Sequence, residues 1–469
     1  MRSLKILALS CTLVLLAGCA FQKYRAAPLA PGQTAASLEA RTMADPGLRQ
    51  YMAEATQMPP PAWPLSQWKL PDLTLAAFYY NPALRVARAQ VAQAEAAILT
   101  ARARPNPATS GDVGGETAPE SPWIAGFVGS LPIETAGKRA RRITAAERTS
   151  DSMRWNLAVT AWKVRAQLRG ALLEYISAGR SLGLLQTEER LRAQQVLLLE
   201  QRLAAGMIPR PVLDAARIQH TQVELAATAA DTRLEQAKAG LAAAIGVPVS
   251  ALKGISFAWP QFDKPATSVT RAAIQQDAVL NRLDIRQALA EYAASEAELR
   301  LQIARQYPDF NLGPDYAYEE GAHLFSVVLG LALPVFDRNQ GPIAEAKARR
   351  ERMAAQFLAV QAAGIAQSEQ ALAKYDAAQK QLSLARQLLQ QSRAQEQAAQ
   401  TALRAGEGDR LALTGSQLQS AVTAVAELNA VSAVQQALGD LENAVQRPLQ
   451  PGDIQPLSPH SPLLRAATR

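Results

Sequence analysis

The residue best placed to do chemistry is Cys19, at the end of Leu16-Ala17-Gly18-Cys19. Behind it stand Arg2, Lys5 and a short apolar run from Ile6 to Leu16. That run is too short to span a bilayer, so residues 1–18 read as a signal peptide and not as a transmembrane helix. The four residues look like a bacterial lipobox, in which the thiol takes a diacylglyceryl group before cleavage. The plainer alternative is an ordinary signal peptide with an incidental cysteine. Ala20 follows, where an aspartate would favour inner-membrane retention, so the address leans to the outer membrane of a Gram-negative bacterium. Cys11 leaves with the signal, and the mature chain can then form neither an internal disulfide nor a cysteine metal site.

Little else in the chain suggests bond-making chemistry. His220, His323 and His460 lie far apart in no metal-ligand spacing. No phosphate-cradling glycine loop, nucleophile elbow or paired-carboxylate site stands out. An enzyme is not expected, nor a metal or any cofactor beyond a covalent lipid on Cys19. The formal charge is +8, and removal of Arg2 and Lys5 leaves a scattered excess with no basic stripe interleaved with aromatics. That pattern argues against nucleic acid as a partner.

The elements that position these residues repeat. Arg104 and Pro107 return as Arg305 and Pro308, and Ser130-Leu131-Pro132-Ile133 returns as Ala332-Leu333-Pro334-Val335. Leu203-Ala204-Ala205-Gly206 returns as Leu403-Arg404-Ala405-Gly406, with Leu213 and Leu413 each seven residues past the glycine. A period of about 200 residues is a duplicated half, not a solenoid unit. The spacing predicts a lead-in over 19–70, repeats over 71–260 and 261–448, and a loose proline-rich tail over 449–469. Within the lead-in, Pro59-Pro60-Pro61, Trp63 and Trp68 predict a stiff segment laid against the helical body.

Each repeat predicts a short helix, two strands, a long helix and a second short helix. Leu157, Ala161, Val164, Leu168, Ala171, Tyr175, Ala178, Leu182 and Leu185 form a heptad seam. In the second half Ala371, Tyr375, Ala378 and Leu382 match it, whereas Gln361, Gly364 and Ser368 interrupt it. No proline falls between about Arg139 and Ala205, which allows a helix of about 100 Å. The two short helices together equal the long one, so they stack end to end beside it. In the second half, Phe310, Leu312, Pro314, Tyr316 and Tyr318 alternate with Asp309, Asn311, Gly313, Asp315 and Ala317. A returning strand carries Phe325, Val327, Leu329, Leu331 and Leu333 on one face. Strands of about ten residues with that alternation fit a transmembrane barrel. The first half returns Trp123, Ala125, Phe127, Gly129 and Leu131, but its partner near Ala108–Glu116 is glycine-rich and is predicted only from the repeat. Four strands cannot close a barrel, which needs about eight, so a membrane-spanning form must oligomerise. A soluble hairpin sheet lying on a helical bundle is the alternative.

Over about residues 71–448 this plan resembles the TolC family of outer-membrane efflux channels. The resemblance is carried by Leu131-Pro132-Ile133 running into Gly137-Lys138-Arg139, by Leu333-Pro334-Val335-Phe336-Asp337-Arg338-Asn339-Gln340-Gly341, and by Gly206, Leu213, Gly406 and Leu413. Together with Ser37-Leu38-Glu39-Ala40-Arg41, the second run is most similar to the heavy-metal efflux branch. The resemblance implies a mainly α fold with a transmembrane β-barrel: a homotrimer closing twelve strands above a periplasmic α-barrel. It implies an inner-membrane pump of the resistance-nodulation-division (RND) type and a periplasmic adaptor as partners, besides outer-membrane lipid. Gly206, Leu213, Gly406 and Leu413 would mark the periplasmic tip that meets the adaptor. Glu407 and Asp409, three times around the axis, could form an acidic ring favouring cations. Gly-Glu-Gly-Asp is also good turn and N-cap chemistry. Ala412, Leu413 and Thr414 stand where some members carry an aspartate. A duct for drugs or secreted proteins uses the same fold, and a lipid-anchored coiled-coil spacer is the rival from another class.

Overall fold

The computed structural model describes residues 22–58, 60, 62–115, 123–265, 271–319, 321–450, 453–454 and 457–464. Cys19 lies outside them, as do Pro59 and Pro61. Two units separate between Arg41 and Thr42. The first holds helix α1 (Pro31–Glu39), opened by a proline and exposed throughout.

The second unit begins with α2 (Pro46–Thr56), the three-residue strand β1 (Gln67–Lys69) and α3 (Leu70–Tyr80). Asp45 caps α2, accepting from the Gly47 N–H at 2.7 Å. One helix–strand–strand–helix–helix series follows: α4 (Pro82–Arg102), β2 (Ala108–Gly115), β3 (Trp123–Ile133), α5 (Lys138–Ala204) and α6 (Arg210–Ile245). Strand β4 (Ser256–Ala258) pairs in parallel with β1, and α7 (Arg271–Leu280) leads into the second series. That series is α8 (Leu283–Arg305), β5 (Phe310–Glu319), β6 (Ala322–Leu331), α9 (Gln340–Arg404) and α10 (Arg410–Val445).

The short helices meet end to end because their free termini satisfy each other. Asn81 caps α4 through the Ala83 N–H at 3.0 Å, and its amide donates to the Ala244 carbonyl at the end of α6 at 3.1 Å. In the second series Arg282 donates to the Ala444 carbonyl at 2.8 Å, and the Asp284 N–H donates to Gln446 at 3.0 Å. Each junction removes orphan helix-end groups that would otherwise need water. The 67-residue α5 thus lies beside α4 and α6, and the 65-residue α9 beside α8 and α10.

Helix α5 also packs on α8 and α10. The layer nearest the sheet therefore runs α4, α5, α8, α9, and the layer below it runs α6, α5, α10, α9. The heptad positions Leu157, Ala161, Val164, Leu168 and Ala178 of α5 are buried. In α9 the expected interruption of the seam is overturned at Gly364 and Ser368, both buried. The Arg282 side chain lies over Gly364, where an added Cβ would stand 3.1 Å from its Cδ. Small residues there make room for a long side chain from α8's start.

The loose C-terminal tail is also corrected for its described residues. Leu457, Leu463 and Leu464 are buried in the main core beside Leu48, Tyr51 and Phe78. The Tyr51 hydroxyl donates to the Leu463 carbonyl at 2.6 Å, and Arg88 donates to the Leu464 carbonyl at 3.3 Å. Prolines set the path of this segment, but its leucines and Asp453 hold it down. Trp68 of the lead-in is fully buried, with Trp63 edge-on to it at 6.0 Å.

Candidate functional site

The far ends of the long helices form two hairpin tips of one design. Gly206 (φ +70°) and Gly406 (φ +77°) end α5 and α9 in the left-handed region, where a Cβ would be strained. The next N–H reaches back five residues in each: Met207 to the Arg202 carbonyl at 2.9 Å, and Glu407 to the Ala402 carbonyl at 3.0 Å. This is the Schellman closure.

Beyond the glycines the tips diverge. Pro209 precedes α6 with no side-chain cap, whereas Asp409 caps α10 by accepting from the Leu411 N–H at 3.1 Å. Asp409 also pairs with Arg202 of the other hairpin. Leu213 is buried with Leu199 and Ala216, and Leu411 crosses over to pack on that cluster. Leu413, its repeat partner in sequence, is only half-buried. The structure therefore gathers Gly206, Leu213, Gly406 and Asp409 at one joined tip and leaves Glu407 exposed beside it. Sequence reasoning missed Arg202 and Leu411. The signal was there: Ala402, Pro209 and Pro211 occupy the repeat-related positions of Arg202, Asp409 and Leu411, so the repeat fails on both sides of this contact.

The Leu411 N–H and then the Arg202 guanidinium hold the Asp409 carboxyl below the usual carboxylate range. A depressed carboxyl adds stability above its unfolded pKa, and that contribution is lost as pH falls through the lower folded value. The tip contact should thus be indifferent to pH near neutrality and weaken only below about pH 3.9. Hydrogen exchange of the α10 first turn across a pH series checks this; loosening at mildly acidic pH would contradict it.

At the opposite end the strands form one antiparallel sheet, ordered β2, β3, β5, β6. The glycine-rich β2 is regular, pairing from Ala108↔Ser130 to Gly115↔Trp123. The register puts Ser110, Asp112, Asn311, Asp315, Glu319 and Ser326 on one face. Trp123, Phe127, Leu131, Leu312, Tyr316, Tyr318, Phe325, Val327, Leu329 and Leu331 share the other. Ser326 donates to Asp315 at 2.8 Å within the polar face. No lysine or arginine occurs in any of the four strands, so the polar face carries only negative formal charge. The alternation of β5 had shown this face as small and polar; its acidic character needed the cross-strand register. His323 sits on the apolar side, its Nδ1 2.9 Å from the Tyr316 hydroxyl. Among the described residues no helix is long and apolar enough to cross a membrane, and no group of side chains could hold a metal ion.

A cobalt-zinc-cadmium resistance protein, CzcC of Cupriavidus metallidurans, is 28% identical over 281 residues, 59% of this chain. That match takes in 65% of the relative's own length. Among solved structures, the outer membrane protein VceC of Vibrio cholerae superposes with a TM-score of 0.65 at 17% identity, covering 81% of this chain and 97% of VceC. The open-state MtrE outer membrane channel of Neisseria gonorrhoeae gives 0.64 at 18% identity, covering 81% and 89%. The family description "outer membrane efflux protein" matches residues 76–247 and again 274–445, one match for each helix–strand–strand–helix–helix series. With both series matched, the chain belongs to the outer membrane efflux protein family.

Proposed function

We propose that this protein is the passive outer-membrane exit duct of a tripartite efflux system and that its cargo is metal cations. The observation that carries the reading is where the layers end. The sheet ends on β2 and β6; the helical layers end on α4 and α9, and on α6 and α9. One flank belongs wholly to the first repeat and the other wholly to the second. Such a chain joins its copies head to tail, and rotation closes the ring. Free strand edges in lipid require that closure. Three copies give twelve strands, as the family's homotrimers imply, with the apolar face toward lipid and the acidic face toward the lumen. A coiled-coil spacer has no use for the sheet.

Cys19 would anchor each copy by its lipid, and 1–18 would be the removed signal peptide. The joined tips, with Gly206, Leu213, Gly406 and Leu413, would meet the adaptor that links duct to RND pump. The pump supplies the energy; this chain does no bond chemistry. Metal cargo is supported by the cobalt-zinc-cadmium resistance relative and by the acidic polar face. A drug or protein duct would share the fold; the acidic face favours cationic cargo of any kind, and it is the resistance relative that points to metal.

The tip roles of the two acids separate. Asp409 is committed to its cap and to Arg202, so it acts as a fastening, whereas Glu407 is free to set entrance charge. Planar-bilayer recording of the purified oligomer tests both. Glu407→Gln should lower cation preference with little change in conductance, and Arg202→Ala should raise conductance by loosening the tip. Unchanged selectivity in Glu407→Gln removes the ring. A purified protein that stays monomeric in detergent and forms no pores removes the duct.

A further inference from the structure

We propose that the sheet-to-helix junction of the second repeat is a docking surface for anionic phospholipid head groups in the leaflet facing the helices. The proposal rests on the sheet crossing the outer membrane, as inferred above. Past the end of β6, Leu333, Val335 and Phe336 remain exposed, Phe336 by 94%. Directly after them, residues 338–352 carry five basic side chains against two acidic ones: Arg338, Lys347, Arg349, Arg350 and Arg352 against Glu345 and Glu351.

The first repeat shows what such cations do when the fold needs them. Lys138 pairs with Asp309 at 2.7 Å, and Arg139 donates to the Arg102 carbonyl at 2.8 and 3.0 Å. Arg142 donates to the carbonyls of Ala101 and Ala103 and pairs with Glu134 at 2.5 Å. Arg139 and Arg142 close the C-terminal end of α4, and Lys138 ties the junction to the second repeat. In the second repeat Asn339 performs that task, donating to the Gln302 carbonyl at 2.7 Å. Among the described residues, no hydrogen bond or ion pair engages Lys347, Arg349, Arg350 or Arg352. Lys347, Arg349 and Arg352 are exposed in the single copy, on the helix whose other side flanks the next copy in the ring inferred above.

Helical side chains lean toward the N-terminus, which here is toward the sheet. An exposed aromatic with apolar neighbours, then a band of unpartnered cations leaning the same way, is the composition of a membrane–water boundary. Phe336, Val335 and Leu333 would meet the acyl edge, and the cations would meet phosphodiesters.

Native mass spectrometry of the full-length, lipid-bearing oligomer, equilibrated with mixed phosphatidylglycerol and phosphatidylcholine, provides the test. We expect phosphatidylglycerol to be retained preferentially. The preference should fall at least about tenfold in Lys347→Gln/Arg349→Gln/Arg352→Gln. It should persist in Lys380→Gln/Arg393→Gln/Arg404→Gln, which removes equal charge from exposed sites farther down α9. Equal retention in both triple variants overturns the proposal. So does displacement of the lipid by millimolar inorganic phosphate, which would mark a free-anion site. Heat-modifiable migration of the wild type scores assembly separately: its absence removes the duct reading and this surface together, whereas intact assembly with no lipid preference removes this surface alone.

Discussion

Gly313→Ala is expected to abolish the assembled, heat-modifiable oligomer, whereas Gly330→Ala leaves it intact. Both glycines lie in strands of the same sheet and on the same face. At Gly313 an added Cβ would overlap the carbonyl oxygen and carbon of Gly129. Those are backbone atoms of β3, so no rotamer change relieves the clash; the strands must part. Pro314 next to it already withholds an N–H from the ladder, and it packs over Gly129, 3.0 Å from where a Cβ would be. The β3–β5 ladder is interrupted here and pairs on either side, from Ala125 to Val128 and from Leu131 to Ile133, so a side chain at Gly313 would wedge apart the two flanking sets of pairs. This seam joins the two repeats within one chain, so its loss also halves what each copy brings to a ring. At Gly330 the nearest atom is Asn311 Cβ at 3.8 Å, an ordinary contact. Semi-denaturing gel migration with and without heating reads the difference. A stable Gly313→Ala oligomer would mean the strands are not paired in this register.

The second large effect is expected at Arg165. Its guanidinium is 0% exposed, bonds Glu442 at 3.0 Å through both terminal nitrogens, and pairs with Asp453. Arg169 lies alongside, 3.2 Å from Glu442, donating to the Gln435 carbonyl at 2.8 Å. Burial alone would lower the Arg165 pKa, but Glu442 and Asp453 outweigh it and hold it above its ordinary value. For Arg169 burial prevails and the value is lowered. Charge is balanced across the four groups, so removing one cation strands a carboxylate out of water. Arg165→Met should cost about 3–5 kcal/mol, read as a lower urea midpoint for the loss of helical circular dichroism. Arg165→Met/Asp453→Asn removes one charge of each sign and keeps the Arg169–Glu442 pair, so it should regain much of that loss. A double variant no better than the single would assign the effect to packing against Trp162, which lies 4.8 Å beneath the guanidinium.

The long helices, their breaks and the apolar strand faces were legible because periodicity reports them directly. Leu157, Ala161, Val164, Leu168 and Ala178 announced a seam and are buried, whereas Ala171, Tyr175, Leu182 and Leu185 of the same seam are half-buried. The Gly364 position misled because burial there is completed by Arg282, a charged side chain from the start of another helix that hydropathy counts as exposed; Ser368 is buried with its hydroxyl turned back to the Ile365 carbonyl. The tail misled for a related reason: prolines suggest a loose chain, yet Leu463 and Leu464 find partners more than 350 residues away. At the tips, glycine positions followed from turn stereochemistry. Arg202 and Leu411 act across hairpins, and only the local failure of the repeat pointed to them.

The docking of the last residues also has a kinetic meaning. Arg165 lies in the first half of the chain, but Glu442 and Asp453 are near its end. A polypeptide emerging N-terminus first carries that guanidinium without counter-charges until Glu442 and Asp453 have followed it. Maturation of the midsection thereby waits for a segment at least 277 residues downstream, and a product cut short of that segment leaves it unfinished.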